Sequence, residues 1–176
     1  RQAFDEFQDL KSGRTYTTLA LKPSLRFTVP RGRWNSEESD TAQGFAVAAH
    51  NPGHGLYQAI LAAHRVTRVY DPQRGGTIPG DQVPLRGSFV AWLRHHPRLR
   101  ILADRPTRLM GLDGSLLDIT GKSQPPKVPE ECGKSGPDCA PLFYAGVDPV
   151  VYPRTSRGRF IVLKLPNGGE LAIEEY

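Results

Sequence analysis

Residues 159–176 read RFIVLKLPNGGELAIEEY, and this stretch decides the fold. Phe160 to Leu165 has the apolar content of a strand. Pro166-Asn167-Gly168-Gly169 is turn chemistry, and Glu170 to Glu175 leads back. Asn-Gly supplies the positive φ values of a tight hairpin turn. So short a connection cannot make a crossover, and the pair is therefore antiparallel. The same logic applies upstream. There Thr107 to Met110 and Leu116 to Thr120 flank a turn expected at Leu112-Asp113-Gly114.

Working outward, a period of two marks further strands. Tyr16 to Leu21 is rich in Thr and apolar residues, and Pro23 ends it. Leu25, Phe27 and Val29 alternate with Arg26 and Thr28, which gives one buried and one wet face. The polar run 35–43 reads as a loop, and Phe45 to His50 as the next strand. Asn51-Pro52-Gly53-His54-Gly55 is a turn. Leu56 to Tyr70 is a long strand, bent or bulged, followed by a Pro/Gly loop over 71–87. Ser88 can cap a helix in which Phe89, Trp92, Leu93 and His96 share a face, and Pro97 stops it. Leu99, Ile101 and Ala103 alternate with Arg98, Arg100 and Leu102. Residues 121–149 form a long loop before a short strand at Val150 to Tyr152. The pattern predicts an α+β fold, a mostly antiparallel sheet of about 6–8 strands with one or two short helices. Residues 1–15 are expected to be a linker or a docked N-terminal segment, and 16–176 one α+β domain.

A chain of 176 residues can bury a sizeable core. With 38% hydrophobic residues it is too apolar for wholesale disorder. The net charge is +5, carried by 17 Arg against 6 Lys. Arginine suits bidentate contact with carboxylates or phosphates, so an anionic membrane surface or an acidic partner is in view. A GC-rich coding preference would give the same bias. The arginines are spread along the chain rather than gathered in an arm, which argues against nucleic acid. No stretch approaches the roughly 20 apolar residues that span a bilayer. The chain begins at Arg1, so it reads as a processed or cut-down product, and a missing leader leaves export open.

Cys132 and Cys139, in CGKSGPDC, are close enough in sequence for a disulfide. Such a ring would stabilise the fold by roughly 2–3 kcal/mol on the chain-entropy model. Free thiols and a metal site are the alternatives, but a metal would need two more ligands, and no Cys or His lies within thirty residues on either side. A disulfide implies an oxidising compartment. His50, His54 and His64 could converge on a metal, although no HExxH spacing supports them. His95-His96 suits the negative end of a helix. No GxSxG elbow occurs, and Ser135 is followed by Gly136-Pro137. Gly121-Lys122-Ser123 resembles a P-loop end, but Leu116 stands where the first glycine is needed. No GxGxxG occurs. Asp113 and Asp118 fit turn and surface chemistry, and Glu130-Glu131 a solvated loop. No motif implies a cofactor. Arg98, Arg100, Arg105 and Arg108 are the candidate anion-binding residues: Arg98 and Arg100 alternate with apolar residues and so share one strand face, and Arg105 and Arg108 follow on the next segment.

Several segments together carry a resemblance: YTTLALKPSLRFTVP, a strand ending in VYDP, FVAWLRHHP, RLMGLDGSLLDIT, the cysteine loop CGKSGPDCAPLF, and RFIVLKLPNGGELAIEEY. Over roughly 16–176 the chain resembles extracytoplasmic domains of uncharacterised lipoproteins from actinobacteria and similar GC-rich bacteria. These are in turn similar to the PsbP-like α/β/α sandwich. Two departures stand out. Pro30-Arg31-Gly32-Arg33-Trp34 carries an extra residue before Trp34, and the chain stops at Tyr176, where such domains continue into a helix. The resemblance implies a PsbP-like sandwich lacking its last helix and no catalytic residue. It implies an exported, non-enzymatic accessory, sensor or ligand-binding domain, tethered at the outer face of the cell membrane. Its partner would be an unknown protein or a small anionic ligand. A secreted hydrolase or metal-dependent enzyme using His50, His54 and His64 is the rival from another class. A structural subunit of a membrane complex is the third.

Overall fold

The computed structural model describes residues 4–5, 7–50, 57–74, 76, 78–122, 139–145, 149–153 and 157–175. The fold is α+β, mostly antiparallel strand with one α-helix. Two compact units emerge from the contacts, Arg1–His64 with Glu174–Tyr176, and Arg65–Ile173. Among the described residues no helix is long and apolar enough to cross a membrane.

In the first unit β1 (Asp9–Leu10), β4 (Trp34–Glu38), β5 (Gly44–His50) and β6 (Tyr57–Arg65) pair in that order. β2 (Thr15–Thr17) and β3 (Arg26–Thr28) form a separate hairpin. The alternation at Leu25, Phe27 and Val29 holds, with Arg26 and Thr28 exposed. Phe4, Tyr16, Phe27 and Phe45 form the aromatic centre, with Phe27 stacked on Phe45 at 5.3 Å and Phe4 edge-on to Phe45 at 5.6 Å. Phe4 is 1% and Leu10 5% exposed.

Two expectations fail in this unit. The strand expected to run to Leu21 ends at Thr17, because the chain turns to bring the amides of Leu19, Ala20 and Leu21 onto the Asp40 carboxylate. The loop expected over 35–43 contains β4. Its Ser36 is fully buried. The Ser36 hydroxyl accepts from the Gln8 amide at 2.8 Å and donates to the Asp5 carbonyl. A polar side chain with satisfied hydrogen bonds costs little inside, so a polar run can serve as an interior strand.

The second unit opens with β7 (Arg68–Tyr70), paired with β8 (Gln82–Pro84) inside what reads as a Pro/Gly loop. Helix α1 (Phe89–His95) follows where expected. Ser88 Oγ accepts from the Ala91 amide, and the chain leaves the helix at His96. The main sheet runs β14 (Glu170–Glu175), β13 (Arg157–Lys164), β10 (Leu112–Gly121), β9 (Leu99–Leu109). β11 (Cys139–Tyr144) and β12 (Pro149–Pro153) form a smaller pair. Phe89 and Leu93 of the helix, Leu117 and Ile119 of β10, Phe160 and Val162 of β13, and Leu142 and Tyr152 meet in one core. Each large side chain buried there contributes about 2 kcal/mol of transfer free energy. Arg94 clamps the helix to β9 through both oxygens of Asp104, at 2.7 and 2.9 Å.

Both hairpin turns differ in detail from their expected chemistry. After β13 the Gly168 amide bonds to the Leu165 carbonyl at 3.1 Å, and the positive φ values fall on Gly168 and Gly169. Pro166-Asn167 is thus the centre of a type I turn closed by glycines, with Pro at the position it favours. Between β9 and β10 the turn is Met110-Gly111, at φ 53° and 78°, two residues before the expected site. Gly114 lies inside β10, where a Cβ would stand 2.2 Å from the Val162 carbonyl oxygen. That glycine serves close strand approach, not a turn.

Candidate functional site

In β10 and β13 the core takes Leu117, Ile119, Phe160 and Val162, so the alternate residues lie on the opposite, outer face, where Leu116, Thr120 and Leu163 are themselves buried. Cross-strand pairs lie on the same face. Arg100 pairs with Thr120, and Thr120 with Arg157. Ala103 pairs with Asp118, and Asp118 with Arg159. Arg105 pairs with Leu116, and Leu116 with Ile161. Among the described residues of β9, β10 and β13, the outer face therefore carries Arg100, Arg105, Arg157 and Arg159 around Asp118.

A bulge makes this array possible. Ile101 pairs with Ile119 and Ala103 with Asp118, which leaves Leu102 as an extra residue in β9. Arg100 and Arg105 are five apart, so without the bulge they would point to opposite faces. Arg108 pairs with Asp113 on the other face, where its Nη1 lies 3.7 Å from the Asp113 carboxylate.

Arg159 binds Asp118 in a fork, Nε to Oδ1 at 2.7 Å and Nη2 to Oδ2 at 3.3 Å. The Arg159 hydrogen bonds hold the Asp118 carboxyl below the usual carboxylate range, with charge from Arg159 and Arg105 adding to them. Arg100 and Arg157 are exposed and flank Thr120. Among the described residues no carboxylate pairs with either. At one end of the same hairpin Leu109 is 39% and Met110 49% exposed.

The four expected arginines are thus divided. Arg100 and Arg105 share the outer face, Arg108 lies opposite, and Arg98 is buried just before β9. Arg157 and Arg159 were not among the expected residues. Their alternation with Gly158 and Phe160, in a strand already recognised, was the available signal.

His64 is buried in the first unit, with Nδ1 3.8 Å from a Glu38 carboxylate oxygen. Burial pushes its pKa down to about 4. It fits only because residue 44 is glycine, where a Cβ would lie 2.5 Å from Nδ1. The side chain of His50, all of His54, Cys132, Ser135 and Glu130-Glu131 lie outside the described residues, as does the side chain of Cys139. Among the described residues no group of three His, Cys, Asp or Glu could hold a metal. Asp113 and Asp118 face opposite ways, each beside its own arginine.

An open cleft of about 540 Å³ lies between Val66, Leu85, Lys164, Leu165 and Glu170. Its carboxylate is already engaged. Glu170 accepts from Ser88 Oγ at 2.9 Å and from the Phe89 amide, so it caps α1.

Comparison with protein families, curated proteins and solved structures finds no significant match to this chain.

Proposed function

We propose that this chain is an extracytoplasmic, non-enzymatic accessory protein that docks on the anionic headgroup surface of a membrane. In this reading its fold is a PsbP-like sandwich, and residues outside the chain tether it. The carrying observation is the outer face of β9, β10 and β13, where Arg100, Arg105, Arg157 and Arg159 gather around Asp118 among the described residues. Basic residues near an anionic surface contribute about 1 kcal/mol each. The hairpin end adds the apolar component. Leu109 and Met110 are exposed there, and Met110 occupies a left-handed conformation that favours Gly or Asn. An exposed apolar side chain kept at a strained position is a feature of functional sites. Apolar tips flanked by arginine suit the boundary between headgroups and acyl chains.

The test is sedimentation with phosphatidylcholine vesicles, with and without phosphatidylglycerol. Binding is expected only with the anionic lipid and should weaken with salt. The double substitution Arg100→Gln, Arg157→Gln should lower affinity roughly thirtyfold. Equal binding to neutral vesicles, or an unaffected double variant, would overturn the assignment.

A further inference from the structure

We propose that the open cleft at the edge of the second unit's core binds a small carboxylate with an apolar body. This does not rest on membrane docking by the outer face. Lys164, which lines the cleft, falls on the core side of β13 with Phe160 and Val162. At about 540 Å³ the cleft lies within the roughly 300–1,000 Å³ of small-molecule sites. Val66, Leu85 and Leu165 give it an apolar lining.

Each wall is held in place by its own hydrogen bonds. The Leu85 amide donates to the Thr67 carbonyl at 2.9 Å, beside the β7–β8 pair. The Leu165 amide donates to the Gly169 carbonyl and the Gly168 amide to the Leu165 carbonyl, both at 3.1 Å. Ser88 Oγ meets Glu170 at 2.9 Å and ties the start of α1 to β14. The cleft is therefore formed before a ligand arrives, and little ordering opposes binding. Gly87, Gly168 and Gly169 also line it, all in the left-handed region, and a Cβ on any of them would meet nothing within 4 Å. A ligand can approach that bare backbone closely.

Charge selects the ligand. Both Glu170 oxygens are taken, one by Ser88 Oγ and one by the Phe89 amide. Lys164 is the opposite case. It is exposed, and among the described residues no carboxylate lies within ion-pair distance of it. The cleft thus offers one free ammonium beside an apolar lining. An ammonium is a compact point charge without the fork of arginine, and one carboxylate satisfies it. A dianion such as phosphate would also be repelled by Glu170 in the same lining. An apolar body on the carboxylate would cover Val66, Leu85 and Leu165.

The experiment follows the backbone amide resonances of the whole chain during titration with sodium hexanoate, hexanamide or sodium acetate at constant ionic strength. Hexanoate should shift the amides of Thr67, Ser88, Gly168 and Gly169, with a Kd on the order of 1 mM. Hexanamide keeps the apolar body without the charge and should bind about fivefold more weakly. Acetate keeps the charge without the body and should bind at least about tenfold more weakly. Lys164→Met should bring hexanoate down to the affinity of hexanamide, and Arg100→Gln with Arg157→Gln should leave it unchanged. Lys164 is exposed, so the variant should fold, and the comparison of hexanoate with hexanamide needs no variant at all. No shift at those amides, equal affinity for hexanoate and hexanamide, or a hexanoate affinity that survives Lys164→Met overturns the proposal. Shifts centred on Arg100 and Arg157 also overturn it, because the carboxylate would then sit on the outer face.

Discussion

Arg159 grips both carboxylate oxygens of Asp118 across the β13–β10 ladder, at 2.7 and 3.3 Å, on a face with three further arginines. The pair is half-exposed, and exposed pairs of this kind are worth at most about 1 kcal/mol. Its larger effect is on charge. Asp118→Asn is expected to change stability by less than 1 kcal/mol and to raise affinity for anionic vesicles about fivefold. Sedimentation at several salt concentrations checks this. An unchanged or lower affinity would show that the arginine face does not meet the lipid.

Two histidines tie stability to pH. His64 and His96 have folded-state pKa values of about 4, against 6.5 unfolded. Protonation therefore favours the unfolded chain. The contribution is fully present above pH 6.5 and is lost as pH falls toward 4. Each ring accounts for about 3 kcal/mol at most. Denaturant titrations at pH 7 and pH 4.5 should show the loss, and His64→Gln should reduce it. A pH-independent midpoint over that range would contradict the assignment.

Close strand approach sets the third expectation. A Cβ on Gly114 would meet the Val162 carbonyl oxygen at 2.2 Å, while nothing lies within 4 Å of one on Gly80. Gly114→Ala should cost about 3 kcal/mol, and Gly80→Ala less than 0.5. Equal effects in urea denaturation would refute the β10–β13 register.

Met110 separates stability from docking. Asn tolerates its left-handed backbone better, so Met110→Asn should raise stability by about 0.5 kcal/mol. The same substitution removes the apolar tip and should weaken vesicle binding. If binding holds while stability rises, the tip plays no part in docking.

The cysteines are testable without a structure. Unreduced protein should have an intact mass two hydrogens below that of the reduced chain, from a Cys132–Cys139 bond. The reduced mass in material never exposed to reductant would remove the argument for an oxidising compartment.

Where local chemistry and packing agree, the sequence was legible. Ser88 and Pro97 bound a helix whose Phe89 and Leu93 are fully buried, and Gly44–His50 and the last hairpin stand where their patterns put them. It was misleading where a distant partner decides. The strand over Trp34–Glu38 depends on Ser36 bonding to a segment nearly thirty residues away. The hairpin turn sits at Met110-Gly111 because Gly114 is needed against β13. Of the outer-face arginines, Arg100 and Arg105 were singled out, but their common face was not visible.

The bulge at Leu102 acts as a frame shift in three dimensions. Upstream of it, even-numbered residues of β9 face outward. Downstream of it, odd-numbered ones do. Side-chain parity thus counts from the bulge and not from the start of the strand. One inserted residue turns a salt-and-pepper strand into one side of an arginine platform, and losing it would leave every arginine in place while dispersing the charge they share.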